Sequence, residues 1–184
     1  MKKILLVSLT GIVLLLGIFL LFIYSLDDLR IDEKKLTNLC SNSIKKRLNR
    51  PNSFVLIESS TMSGTASQIL VDEYKSKFSN AILNIIEKSN TEFFERTVFI
   101  TFEVKDIYST SNQHKAMCEY LESKDKTGYR KLSELLSVMV GNKLYRKSES
   151  LEWLLLESKS VLEIQKANVY KKPTFKDRLD YIFY

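Results

Sequence analysis

The hydrophobic pattern divides the chain into one unbroken apolar run and a longer periodic part. After Met1-Lys2-Lys3, no charged side chain occurs from Ile4 to Leu26, and Asp27-Asp28 follow at once. As a helix at ~1.5 Å per residue this run is about 35 Å long, enough for the ~30 Å hydrocarbon core of a bilayer. Ser8, Thr10, Gly11 and Gly17 interrupt it at little cost, and Tyr24 stands where an amphipathic ring prefers the interface. The pattern predicts a single transmembrane helix, with Lys2 and Lys3 keeping the amino terminus in the cytoplasm and the main domain outside. A cleaved signal peptide fits less well: its apolar core is only ~7–15 residues, and Ile23-Tyr24-Ser25 is a poor cleavage tripeptide.

Beyond Asp27 the spacing changes. Leu36, Leu39, Cys40, Ile44 and Leu48 recur at helical spacing over 32–49, with Lys34, Lys35, Lys45, Lys46 and Arg47 on other faces. Pro51 closes that helix. Phe54 to Ile57 predicts a short buried strand, and Ser59 to Gly64 a loop. Thr65-x-x-Gln68 has capping-box spacing, and Leu70, Tyr74, Phe78, Ala81, Ile82, Ile85 and Ile86 follow on one face of a helix reaching about Lys88. Strict alternation from Thr97 to Tyr108, turn residues at Ser109 to Asn112, and a return over Gln113 to Leu121 predict a hairpin. Leu132, Leu135, Leu136, Met139 and Val140 predict a helix over 129–144, ended early by Gly141-Asn142. Leu151, Leu154, Leu155, Val161 and Leu162 predict another over 149–165.

The expected fold is therefore α+β: an amino-terminal transmembrane anchor (1–26), an external domain with helices packed on a small antiparallel sheet (27–167), and a basic and aromatic tail (168–184). Composition narrows the class further. With 184 residues, 45% hydrophobic, 27% charged and a net charge of +6, the chain suits one compact domain plus an attachment. Five glycines and two prolines exclude collagen-like and linker-dominated architectures. Low Gly and Pro with abundant Lys, Asn, Ile and Ser resembles the coding of an AT-rich bacterial genome, and the expected location is the bacterial inner membrane, single-pass, with a periplasmic main domain.

Two cysteines make neither a disulfide-dense scaffold nor a four-cysteine zinc site. Cys40 lies on the apolar face of the first soluble helix, and Cys118 on the return strand beside Ala116 and Tyr120. Both sites face the expected core, so a Cys40–Cys118 disulfide is expected in an oxidising compartment. A loop of that length gives roughly 4–5 kcal/mol in the chain-entropy model.

The search for chemistry finds little. His114, the one histidine, stands near a turn with no nucleophile or carboxylate beside it in sequence, and reads as a surface residue. No nucleophile-elbow, zinc-protease or phosphate-loop motif occurs. Glu92, Glu95, Glu103 and Asp106 read as solvated strand-edge charges, although paired carboxylates are the tools of glycan hydrolysis. Asp27, Asp28, Asp32 and Glu33 lack the spacing of a calcium loop. No catalytic residue, cofactor or metal is therefore expected. Lys166, Lys171, Lys172, Lys176 and Arg178 interleave with Tyr170, Phe175, Tyr181, Phe183 and Tyr184, a mixture suited to an anionic surface or to a ring-anchored terminus.

These readings converge on a membrane-tethered, non-enzymatic envelope protein. Its external domain is expected to bind another envelope component as an accessory subunit of a secretion, division or wall-assembly complex. The expected partners are the membrane and an envelope protein, and not nucleic acid. An immunity-type inhibitor and a carboxylate-dependent envelope hydrolase are the alternatives.

Overall fold

The computed structural model describes the backbone of residues 2–48, 51–105, 111–146, 160–167 and 169–183, and the side chains of 13–48, 51–105, 111–146, 163–167 and 169–183. The elements in chain order are α1 (Lys2–Tyr24), α2 (Asp28–Lys45), β1 (Val55–Thr65), α3 (Gln68–Lys75), α4 (Asn80–Lys88), β2 (Glu92–Lys105), β3 (Ser111–Lys124), β4 (Arg130–Val140), β5 (Lys143–Arg146), α5 (Ser160–Ala167) and α6 (Phe175–Phe183). They form two compact units, one of residues 1–34 with 171–184 and one of 35–170.

In the first unit, α6 packs against the carboxyl-terminal end of α1. Arg178 is buried, and its guanidinium donates to the carbonyls of Ile23 (3.4 Å) and Leu26 (2.8 Å) and to Asp28 Oδ1 (2.6 Å). The Ile23 carbonyl belongs to the last turn of α1, where it also accepts from the Leu26 amide (3.4 Å), and the Leu26 carbonyl lies just past the helix. The guanidinium thus serves acceptors for which few helical N–H groups remain. Asp27 Oδ1 accepts from the Leu29 amide and so starts α2. The expectation of a single-pass signal-anchor in the membrane is corrected here. Among the described residues, no helix is long and apolar enough to cross a membrane. The final turn of α1 holds Ile23, which is fully buried and whose carbonyl accepts from a charged guanidinium.

The second unit is built on a five-stranded antiparallel sheet in the order β1-β2-β3-β4-β5. One face carries the main core. Leu36, Leu39, Cys40 and Ile44 of α2 meet Val98, Ile100 and Phe102 of β2, Cys118 and Tyr120 of β3, and Leu132, Leu135 and Val138 of β4, with Ile164 of α5 closing the cluster. α3 and α4 lie on the other face over one end only, where Val71, Phe93 and Leu121 form a smaller cluster with Tyr74 and Ile86. The α+β class and the β2–β3 hairpin stand as expected from the sequence, and α2 begins four residues earlier than the periodicity suggests.

Several elements differ from the sequence pattern, each for a physical reason. β1 is an eleven-residue strand rather than a short buried one followed by a loop. It is an edge strand, exposed along most of its length, so pairing with β2 holds it without an apolar alternation. The long helix expected to reach Lys88 is two helices broken at residues 76–79. Ser67 rather than Thr65 is the N-cap, with no side-chain hydrogen bond, because Thr65 is still paired in β1.

The expected helix over 129–144 is the hairpin β4–β5. In β4 the register slips against β3 between Glu119/Tyr120 and between Leu121/Glu122. Each slip inserts an extra residue and turns the next side chain back toward the core. Leu132, Leu135 and Val138 thus all face the core at a three-residue spacing that mimics a helix. Gly141, at φ 58°, makes the turn rather than ending a helix. The expected tail contains α6, and the expected helix over 149–165 lies outside the described residues except for α5.

Candidate functional site: the open face of the sheet

Register places side chains in cross-strand rows. Because Val98, Ile100 and Phe102 of β2 face the main core, Thr97, Phe99 and Thr101 face the other way. Ser60 stands opposite Phe99, Phe99 opposite Met117, Met117 opposite Met139, and Met139 opposite Leu144. One apolar row, Phe99–Met117–Met139–Leu144, therefore crosses four strands on the face opposite α2. Phe99 is 39% and Leu144 38% exposed, although both sit in a sheet whose inward positions are nearly dry. The adjacent row, Met62–Thr97–Glu119–Ser137–Arg146, is mostly polar. An apolar centre with a polar margin is the composition of a protein-binding surface, and methionines adapt to an irregular partner.

Between this face and α3 lies an open cavity of about 460 Å³, whose charged lining is Glu73, Lys77, Glu95, Glu119, Glu134 and Arg146. Three of its carboxylates are already engaged. Lys77 Nζ meets Glu134 Oε2 at 2.8 Å, the Ser67 amide donates to Glu95 (3.1 Å), and the Ser137 hydroxyl donates to Glu119 (2.6 Å). This arrangement orders α3 against the sheet.

Among the described residues, the most enclosed charge is elsewhere. Glu122, at 1% exposure, lies 3.2 Å from Arg96 Nε and 3.4 Å from Arg130 Nε, and accepts a 2.7 Å hydrogen bond from the Tyr170 hydroxyl. Partial burial, then the Glu122 hydrogen bond and charge, raise the Tyr170 phenol above its usual pKa. Tyr170 itself has φ 64°, a left-handed conformation that bulky residues rarely adopt. The cluster ties the chain at Tyr170 to β2, β3 and the start of β4. It is a buried ionic knot in which both carboxylate oxygens are occupied.

Cys40 and Cys118 form the expected disulfide, with Cα atoms 5.7 Å apart and both residues fully buried. It joins α2 to β3 through the main core. His114 stands opposite Phe102 near the end of the hairpin, exposed, with the rings 5.5 Å apart. Glu103 accepts from Ser111 (2.6 Å), Glu92 pairs across from Lys124, and Asp106 lies outside the described residues. Of the acids that follow the apolar run, Asp27 caps α2 and Asp28 binds Arg178. The basic residues proposed for an anionic surface are not alike. Lys166, Lys171, Lys172 and Lys176 are exposed, whereas Arg178 is consumed inside the first unit.

No family model, curated protein or solved structure matches this chain. The site must therefore be read from its own chemistry. Sequence reasoning missed the open-face row because Met139 sits in β4, whose bulges imitate a helix, and Leu144 in the short β5 at the end of the same expected helix. The available signal was Phe99, an aromatic ring on the outward register of β2. The Glu122 knot had no linear signal, since its partners come from two other strands and a distant segment.

Proposed function

We propose that this chain is a non-enzymatic binding protein of an oxidising, extracytoplasmic compartment, and that the open sheet face receives another envelope protein. The observation that carries this reading is the row Phe99–Met117–Met139–Leu144, apolar and left accessible on a sheet whose other face is filled. Exposed contiguous apolar surface is costly to a folded chain and is retained where a partner covers it. The buried Cys40–Cys118 bridge supports the compartment, because disulfides persist where reducing systems are absent. These two features together support an accessory role in an envelope assembly.

A photo-crosslinking residue at Met117 tests the reading in cells, with one at exposed Lys131 as control. The expected result is one discrete adduct from Met117 and none from Lys131, lost when Phe99→Glu places a charge in the row. An adduct of equal yield in the Phe99→Glu variant would exclude this face as the binding surface, as would no adduct from Met117.

A further inference from the structure

The two edges of the sheet are built in opposite ways. β5 has four residues, two of them Lys143 and Arg146, so its open edge is short and charged. β1 has eleven residues, VLIESSTMSGT, with Glu58 as its one charge and no proline. Nearly all of it is exposed, including Val55 (53%), Leu56 (41%) and Met62 (59%). An edge of this kind presents a row of backbone N–H and C=O groups ready for another strand. Folds normally blunt such edges with lysine, proline, shortness or a bulge. Here the one device is a register shift between Leu56 and Glu58, which leaves Glu58 to Thr65 in continuous register with β2.

We propose that β1 pairs antiparallel with β1 of a second copy about a two-fold axis, joining the two five-stranded sheets into one. Self-pairing across a two-fold axis places a residue opposite itself, and like charges facing each other are penalised. A register centred on Ser60 sets Glu58 opposite Met62. One centred on Thr61 sets it opposite Gly64, and one centred on Met62 opposite Ala66. Each pairs the strand's only charge with a neutral residue, so the edge is electrostatically compatible with itself. A two-fold axis perpendicular to the sheet leaves both open faces on the same side. In the Ser60-centred register the two apolar rows then lie in one line, separated by the paired Ser60 residues. This pairing does not depend on what binds the open face.

The test is sedimentation of the full chain with hydrogen exchange on the β1 amides. A non-ionic detergent is included so that the exposed apolar side chains of α1 do not themselves drive association. The expected species contains two chains rather than one of 21.4 kDa, with β1 amides protected in the pair and released on dilution. The triple variant Glu58→Gln, Ser60→Lys, Met62→Lys puts lysines opposite lysines in every register above, and should sediment as a single chain. Unchanged protection in β2 and β3 would show that it still folds. Glu58→Gln alone should remain paired. A wild-type chain that sediments singly would overturn the proposal. So would a triple variant that stays paired, since association would then run through another surface.

Discussion

Replacing Glu122 by glutamine removes the one negative charge between Arg96 and Arg130 and weakens the acceptor of the Tyr170 hydroxyl. Breaking a buried ion pair from one side costs about 3–5 kcal/mol. Arg130 is 36% exposed and can turn to water, so the Glu122→Gln loss should fall near ~3 kcal/mol, read as a lower denaturant midpoint. Tyr170 gives the same cluster a pH signature. Its folded pKa is raised, so its contribution is complete below the unfolded value of ~10 and falls as pH rises past it, because the unfolded chain ionises first. Stability measured between pH ~9 and ~11 should therefore decline, and Tyr170→Phe should flatten that decline. At the disulfide, non-reducing alkylation should find no free thiol, and Cys118→Ser should cost about 4–5 kcal/mol in the chain-entropy model. Cys40 and Cys118 were legible because each lies on the apolar period of its own element. Glu122 was not, because a buried acid has the same linear context as a solvated one until its arginines arrive.

Whether an element can be read from sequence depended on whether its side-chain period survived tertiary pairing. α2 keeps a clean helical period, and its inward residues Leu36, Leu39, Cys40 and Ile44 are those in the core. β2 keeps strict alternation. β4 does not: two bulges reset its phase, and the resulting spacing of Leu132, Leu135 and Val138 is indistinguishable from a helix face. Burial, not period, then predicts the energetics. Leu135→Ala, at a site 3% exposed, should cost about 2–5 kcal/mol on thermal or chemical unfolding. Ile85→Ser on α4, at a site 66% exposed, should stay within ~0.5 kcal/mol. An equal loss at both positions would mean that α4 is packed far more closely than its exposure indicates.

At the level of the whole molecule, stability should follow the layering within residues 35–170. The central strands β2, β3 and β4 are paired on both sides, filled on one face and crossed by the Cys40–Cys118 bridge. Their amides should be the slowest to exchange, opening only with global unfolding. α3 and α4 rest on a small cluster around Phe93 and Leu121, and their amides should exchange by local opening at lower cost. Exchange in α4 as slow as in β3 would contradict that order. The amino-terminal run teaches the complementary lesson. Its apolarity was plain in the residues, yet Arg178 of α6 meets the carbonyls of Ile23 and Leu26, and no linear pattern announces a buried arginine from so far along the chain.

By itself the sequence determined the α+β class, the α2 helix, the β2–β3 hairpin and the partnership of Cys40 with Cys118. These depend on period and turn chemistry carried by neighbouring residues, and on each cysteine facing inward from its own element. Only the tertiary structure decided that β1 is a long edge strand, that β4 and β5 are strands, and that Phe99, Met117, Met139 and Leu144 share one surface. Register between strands sets those outcomes. It is a property of pairs, and a single bulge reverses which face of the sheet a residue serves.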